Sequence, residues 1–168
     1  MFRLSKFKKT KHKNGSIIKR ILWYAFSPIF FENKIPIPQI LKKIVLVIFG
    51  AKIGQGVVIK PSVQIKYPWN LIIHNHVWIG EKCWLDNLDI IEIKNNVCIS
   101  QGSMLETGSH DFKSEGFELI TYPITINSNT WIGCRCLILP GANIERGSIF
   151  YGGSIIGRHS RANKLINT

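Results

Sequence analysis

The 168-residue sequence predicts an all-β solenoid, a parallel β-helix of about five coils, and three observations carry that expectation. The first is a six-residue rhythm between Ile53 and Ile156. An aliphatic residue stands at position i and a small or β-branched one at i+4, as in Ile73 with Val77, Ile93 with Val97 and Ile138 with Ala142. A period of six fits neither the helical 3.6 nor plain strand alternation, but it suits short strands joined by turns and stacked as repeats. The second is that the hexapeptides group in threes, with coils starting at Ile53, Ile73, Ile93, Ile126 and Ile144. The third is where the rhythm breaks. Two-residue insertions follow Ile65 and Leu85, and one long loop, about residues 108–123, leaves the coil after Leu105. A long loop breaking a strict repeat is a place to look for function.

Residues 1–20 form a basic arm, with eight Lys or Arg and no acid. It reads either as a flexible solvated tail or as a dock for an anionic membrane surface, where each cation contributes about 1 kcal/mol. Residues 21–50 are an aromatic segment and a capping helix. The run from Ile21 to Phe31 is apolar, yet short of the roughly 20 residues that span a bilayer. Pro28 is expected to break or kink a helix there, so the segment reads as interfacial or packed on the protein. Gln39–Phe49 reads as a short helix with Lys42 and Lys43 exposed, ended by Gly50 and placed to cap the open edge of the first coil. Residues 51–158 are the β-helix, and 159–168 a polar tail. Within the loop, Phe112, Phe117 and Tyr122 are able to pack on a neighbouring subunit.

The net charge of +12 is mainly a property of the arm. Of the four cysteines, Cys83 and Cys136 fall at i+4, where a small buried side chain is wanted. Cys134-x-Cys136 lacks the second pair of a zinc site. Reduced structural thiols, no secretory leader and a cytoplasmic location are the expectation.

The repeat, together with Ile99-Ser-Gln-Gly, Thr107-Gly-Ser-His-Asp111, Trp131-Ile-Gly133 and Leu139-Pro-Gly141, resembles the hexapeptide-repeat O-acetyltransferases of colanic acid and exopolysaccharide biosynthesis. That resemblance covers roughly residues 20–158 and implies a left-handed parallel β-helix, an acetyl-CoA-dependent transfer to a sugar hydroxyl, and His110 as the catalytic base. It also implies a homotrimer with a site in each cleft between subunits. The chemistry asks for such a base: a sugar hydroxyl is a weak nucleophile, and a neutral imidazole can take its proton. Asp111 and Glu106 are candidates to orient His110, although Asp111 could instead cap the loop. Asn87, Trp84 and Trp131 are candidates for the acceptor site, with a simple turn role equally open for Asn87. For acetyl-CoA the resemblance carries over Gly133, Gly141, Ala142 and Arg158, with a backbone N–H near Trp131–Gly133 as oxyanion donor. The resemblance implies a sugar or a lipid-linked saccharide as acceptor, and residues 1–31 would favour contact with the inner face of the membrane.

No metal is expected. A site built from His74, His76 and His110 would need three imidazoles to meet, on a spacing unlike that of β-helical carbonic anhydrases. Nucleic-acid binding through the arm is disfavoured, since only Phe2 and Phe7 interleave its charges. The readings that compete are a non-catalytic β-helical scaffold and an N-acetyltransferase of an amino sugar.

Overall fold

The computed structural model describes residues 2–7 and 15–165 of the chain. Three parallel sheets form the faces of a five-coil solenoid, a left-handed β-helix. The first face stacks Lys52–Ile53, Leu71–Ile73, Ile91–Ile93, Ile124–Ile126 and Asn143–Ile144. The second stacks Val58–Ile59, Trp78–Ile79, Cys98–Ile99, Trp131–Ile132 and Ser148–Phe150, and Lys164–Leu165 adds to it antiparallel. The third stacks Gln64–Ile65, Trp84–Asp86, Met104–Glu106, Leu137–Ile138 and Ile155–Ile156.

Strands this short gain little from their own hydrogen bonds, so the register comes from the interior. The predicted i residues align in columns, with Ile53, Ile73, Ile93, Ile126 and Ile144 paired along the first face. Nearly all are fully buried, and each such side chain contributes about 1.5–3 kcal/mol. The i+4 residues Val77, Val97, Cys83, Cys136 and Ala142 fill the corners. Burial pushes the Cys83 thiol up to about 11, which leaves it inert. Ser103, also at i+4, donates to Gly133 O at 2.9 Å. All departures from the eighteen-residue coil, both insertions and the loop, lie at the one corner between the third face and the first.

Two helices cover the start of the solenoid. α1 (Ile17–Phe30) is capped by Ser16, whose Oγ accepts from Lys19 N. Contrary to expectation it runs through Pro28. Pro28 sits in the last turn, and Asn33 Nδ2 takes up the carbonyls of Pro28 and Ile29 that the ending helix leaves open. Trp23 is buried against Phe31 and Phe49 and donates Nε1–H to Ile65 O at 2.8 Å. α2 (Gln39–Ile48) caps the first coil as expected, but Lys42 is buried rather than exposed. Its ammonium donates to Ile59 O (2.8 Å) and Lys60 O (3.2 Å), while Lys43 donates to Gly54 O (2.8 Å). The lysines are drawn inward because the first coil has no preceding coil to satisfy its carbonyls. Desolvation, then the nearby Lys60 charge, lowers the Lys42 pKa.

Candidate active site

The long loop is a β-hairpin, Gly108–His110 against Leu119–Thr121, with Gly108 opposite Thr121 and His110 opposite Leu119. It leaves the solenoid at the insertion corner and returns through Tyr122, whose N–H bonds Thr107 O at 2.9 Å. Gly108 packs closely there: a Cβ would stand 2.5 Å from Leu88 Cδ1, and the Leu88 side chain would have to move to admit one. The stem is fastened to the previous coil. Thr107 Oγ1 donates to Asp86 O and accepts from Asp89 N, both at 2.9 Å.

His110 is held on both sides of its ring. Its Nδ1 lies 2.8 Å from Phe117 O, and its imidazole stacks on the Phe117 ring with centroids 4.4 Å apart and planes 3° from parallel. A carbonyl oxygen can only accept, so Nδ1 carries the proton and Nε2 carries the lone pair. This hydrogen bond orients the ring, a role for which Asp111 and Glu106 were candidates. Asp111 instead closes the loop, its Oδ1 accepting from Lys113 N at 3.0 Å. Within the chain Phe117 faces His110, and Tyr122 packs under Arg158, with the guanidinium 3.8 Å from the ring centre. Phe112 stays exposed.

A cleft of about 460 Å³ opens beside His110, lined also by Phe7, Arg20, Lys66, Asp86 and Glu106. Lys66 pairs with Asp86 at 2.6 Å. Glu106 stands opposite Asp86 in register. Burial raises its carboxyl pKa, the Asp86 charge raises it further, and Lys66 partly offsets both. One wall was not anticipated. Residues 2–7 form a strap across the hairpin, with Phe2 packed at a tilt against Phe117 (4.4 Å) and Phe7 6.0 Å from the His110 ring. Arg3 N–H donates to Glu115 O and Lys6 pairs with the Glu115 carboxylate at 2.7 Å. The available signal was Phe2 and Phe7 themselves, the only aromatics in an otherwise basic arm. The rest of that arm, through Asn14, lies outside the described residues.

No family model matches the chain. It is 37% identical over 154 residues to a protein of Escherichia coli K12 provisionally named the colanic acid biosynthesis acetyltransferase WcaF, covering 90% of this chain and 83% of the relative. The chain belongs to the hexapeptide-repeat acetyltransferases. It is also 30% identical to the galactoside O-acetyltransferase of Escherichia coli K12, over 63% of this chain and 54% of that protein. Among solved structures it superposes on a galactoside acetyltransferase in complex with coenzyme A, with TM-score 0.77, 21% identity and 94% of this chain against 86% of that one. A hexapeptide-repeat acetyltransferase of Vibrio cholerae gives TM-score 0.75 at 16% identity, over 90% and 92% of the two chains.

In this acetyltransferase the other expected residues fall in different places. Asn87 is fully buried and holds the corner, accepting from Tyr67 N (2.9 Å) and donating to Tyr67 O (2.6 Å). Both ends of its amide are engaged inside the coil, so it does not reach an acceptor. Trp84 is exposed on the strand that carries Asp86. Trp131 is on the second face, away from His110 in this chain, its Nε1 donating to Ser100 Oγ at 3.0 Å. Gly141, Ala142 and Arg158 share the insertion corner. Gly141 has φ +79°, and a Cβ there would stand 2.3 Å from Arg158 Nε. Gly133 lies at another corner, where a Cβ would meet Gly152 N at 2.5 Å, and its N–H is committed to Phe150 O at 2.8 Å. That bond removes Gly133 as the oxyanion donor. His74 bonds Glu92 at 2.9 Å, and no group of three His, Cys, Asp or Glu among the described residues could hold a metal.

Proposed function

We propose that the protein transfers an acetyl group from acetyl-CoA to a sugar hydroxyl of a surface polysaccharide or its precursor, with His110 as general base. The observation that carries this reading is the Nδ1–H donated to Phe117 O, which leaves Nε2 as the basic nitrogen beside an open cleft. Nε2 takes the hydroxyl proton as the oxygen attacks the thioester carbon. The tetrahedral intermediate collapses with loss of the CoA thiolate, and the imidazolium returns the proton to that sulfur. No acyl-enzyme is needed. Positioned base catalysis of this kind is worth about 10²–10⁴-fold, and holding both substrates in one cleft lowers the barrier further.

Arg158, braced by Tyr122 over Gly141, suits a CoA phosphate, and the backbone around Ala142 suits close approach of the pantetheine arm. Gly133 offers the same at the neighbouring corner. A solenoid packed with side chains has no internal room, so the second wall of such a groove belongs to a neighbouring subunit of a homotrimer. The relatives named for colanic acid biosynthesis and for galactoside acetylation support a sugar as acceptor. The basic, apolar residues 1–31 support a lipid-linked saccharide at the inner face of the membrane.

The test is thiol release from acetyl-CoA with a panel of sugars, wild type beside His110→Ala. A fall of about 10²-fold or more in kcat is expected. Turnover unchanged by the substitution removes His110 from the chemistry. Absence of both turnover and acetyl-CoA binding would favour a scaffold.

A further inference from the structure

Both helices at the start of the solenoid are inside out. In α1 every exposed residue is apolar or aromatic, Ile17, Ile18, Ile21, Leu22 and Ile29 among them. Its two cations are turned toward the protein, Lys19 over the Trp69 ring at 4.8 Å and Arg20 into the cleft of His110. In α2, after Gln39, the exposed residues are Ile40, Leu41, Ile44, Val47 and Ile48, while Lys42 and Lys43 are bonded to the first coil. A helix facing water has the opposite arrangement. Contiguous apolar surface of this kind marks an interaction site.

Charge selects the occupant. Residues 1–60 hold thirteen Lys or Arg and a single acid, Glu32, and the rest of the chain is balanced at nine of each. The whole net charge of +12 therefore belongs to the segment carrying the two apolar faces. Contact between copies of this chain through those faces would bring two strongly positive segments together, whereas an anionic lipid surface attracts the segment as a whole and takes up its apolar side chains. Neither helix is long enough to cross a bilayer.

We infer that α1 and α2 together form a lipid-docking face that seats the protein in the interface of an anionic membrane, with the helices lying in its plane. Because Arg20 of α1 also lines the His110 cleft, this seating holds the cleft next to the lipid surface. The docking rests on the helices and the charge distribution, independently of the transferase reading.

The experiment is sedimentation of the full chain with phosphatidylcholine vesicles, with and without phosphatidylglycerol. Wild type is compared with Ile21→Glu and Ile44→Glu, singly and together, and light scattering and soluble-acceptor turnover are measured on the same samples. Wild type is expected to sediment with the anionic vesicles, and the double variant to bind at least about tenfold more weakly. Oligomer mass and soluble turnover are expected to stay unchanged. Wild type left in the supernatant, or a double variant that binds as wild type does, overturns the inference. So does a double variant of smaller mass with wild type ignoring vesicles, which would assign the face to a second copy. Loss of turnover in wild type itself would count against the transferase reading and leave the vesicle result standing.

Discussion

At Asn87 a side-chain amide replaces a missing turn of backbone. It meets the N–H and the C=O of Tyr67 where the two-residue insertion pulls the chain away from the ladder. Asn87→Ala leaves both groups buried and unpaired, so it should cost about 2–3 kcal/mol of stability, read by urea denaturation. The KM for acceptor should not move, which separates this role from substrate binding. The neighbouring carboxyl behaves differently. Glu106 has a folded pKa raised above the ordinary 4.5, by burial first and Asp86 second. Its ionised form therefore costs stability above that value, and the cost is relieved as pH falls through the raised folded pKa. Glu106→Gln should raise Tm at neutral pH, with the advantage over wild type vanishing below pH 4.5. At this scale the inward columns were legible, since burial demands aliphatic residues at fixed spacing. The corners were less so. Eleven residues at the coil corners adopt positive φ, each three positions after an inward residue. Seven are Gly or Asn, which accept it readily, but Ser62, His76, Lys82 and Arg135 take the same conformation at about 1–2 kcal/mol each. Stacking overrides that local preference, so nothing in those four side chains announces the turn.

Among the elements, the strap of residues 2–7 joins the start of the chain to the hairpin that holds His110. Phe117 stacks on His110 and packs against Phe2, and Phe7 walls the cleft beside them. An aromatic ring in that position offers a flat apolar surface to a sugar. Phe7→Ala should raise the acceptor KM by about fivefold and leave the acetyl-CoA KM in place, as initial-rate kinetics with each substrate varied would resolve. The strap was hidden because its partners lie more than a hundred residues away and no periodicity marks it. The helices were legible as a cap, whereas their polarity was not. Reading Lys42 as exposed follows from the usual habit of lysine, and that habit yields here to the unpaired carbonyls of the first coil. Pro28 was misread for a related reason: its effect depends on its place in the helix, and in a last turn capped by Asn33 it interrupts little.

For the whole molecule, the consequence of a filled interior is that function lies on the outside, and the proposed homotrimer would place it between copies. Light scattering should give a mass near three times the 19.2 kDa of one chain. Turnover per subunit should fall on dilution below the assembly constant, because each subunit would lack the second wall of its cleft. The overall architecture was readable in the spacing of coil starts. The assignment of residues to the cleft was only partly readable, since the repeat gives the face of Trp84 and of Trp131 but not the path of the hairpin that carries His110.

The hairpin is the one antiparallel insertion between coils, and it departs and rejoins at a single corner. Thr107 and Tyr122 close its base with a backbone hydrogen bond, and the strands before and after keep their places in the stack. Lengthening, shortening or exchanging residues 111–116, which leaves His110 and Phe117 in place, therefore leaves the alignment of every other coil untouched. Evolution can treat that segment as a cassette, altering which acceptor is admitted while the surrounding architecture is inherited unchanged.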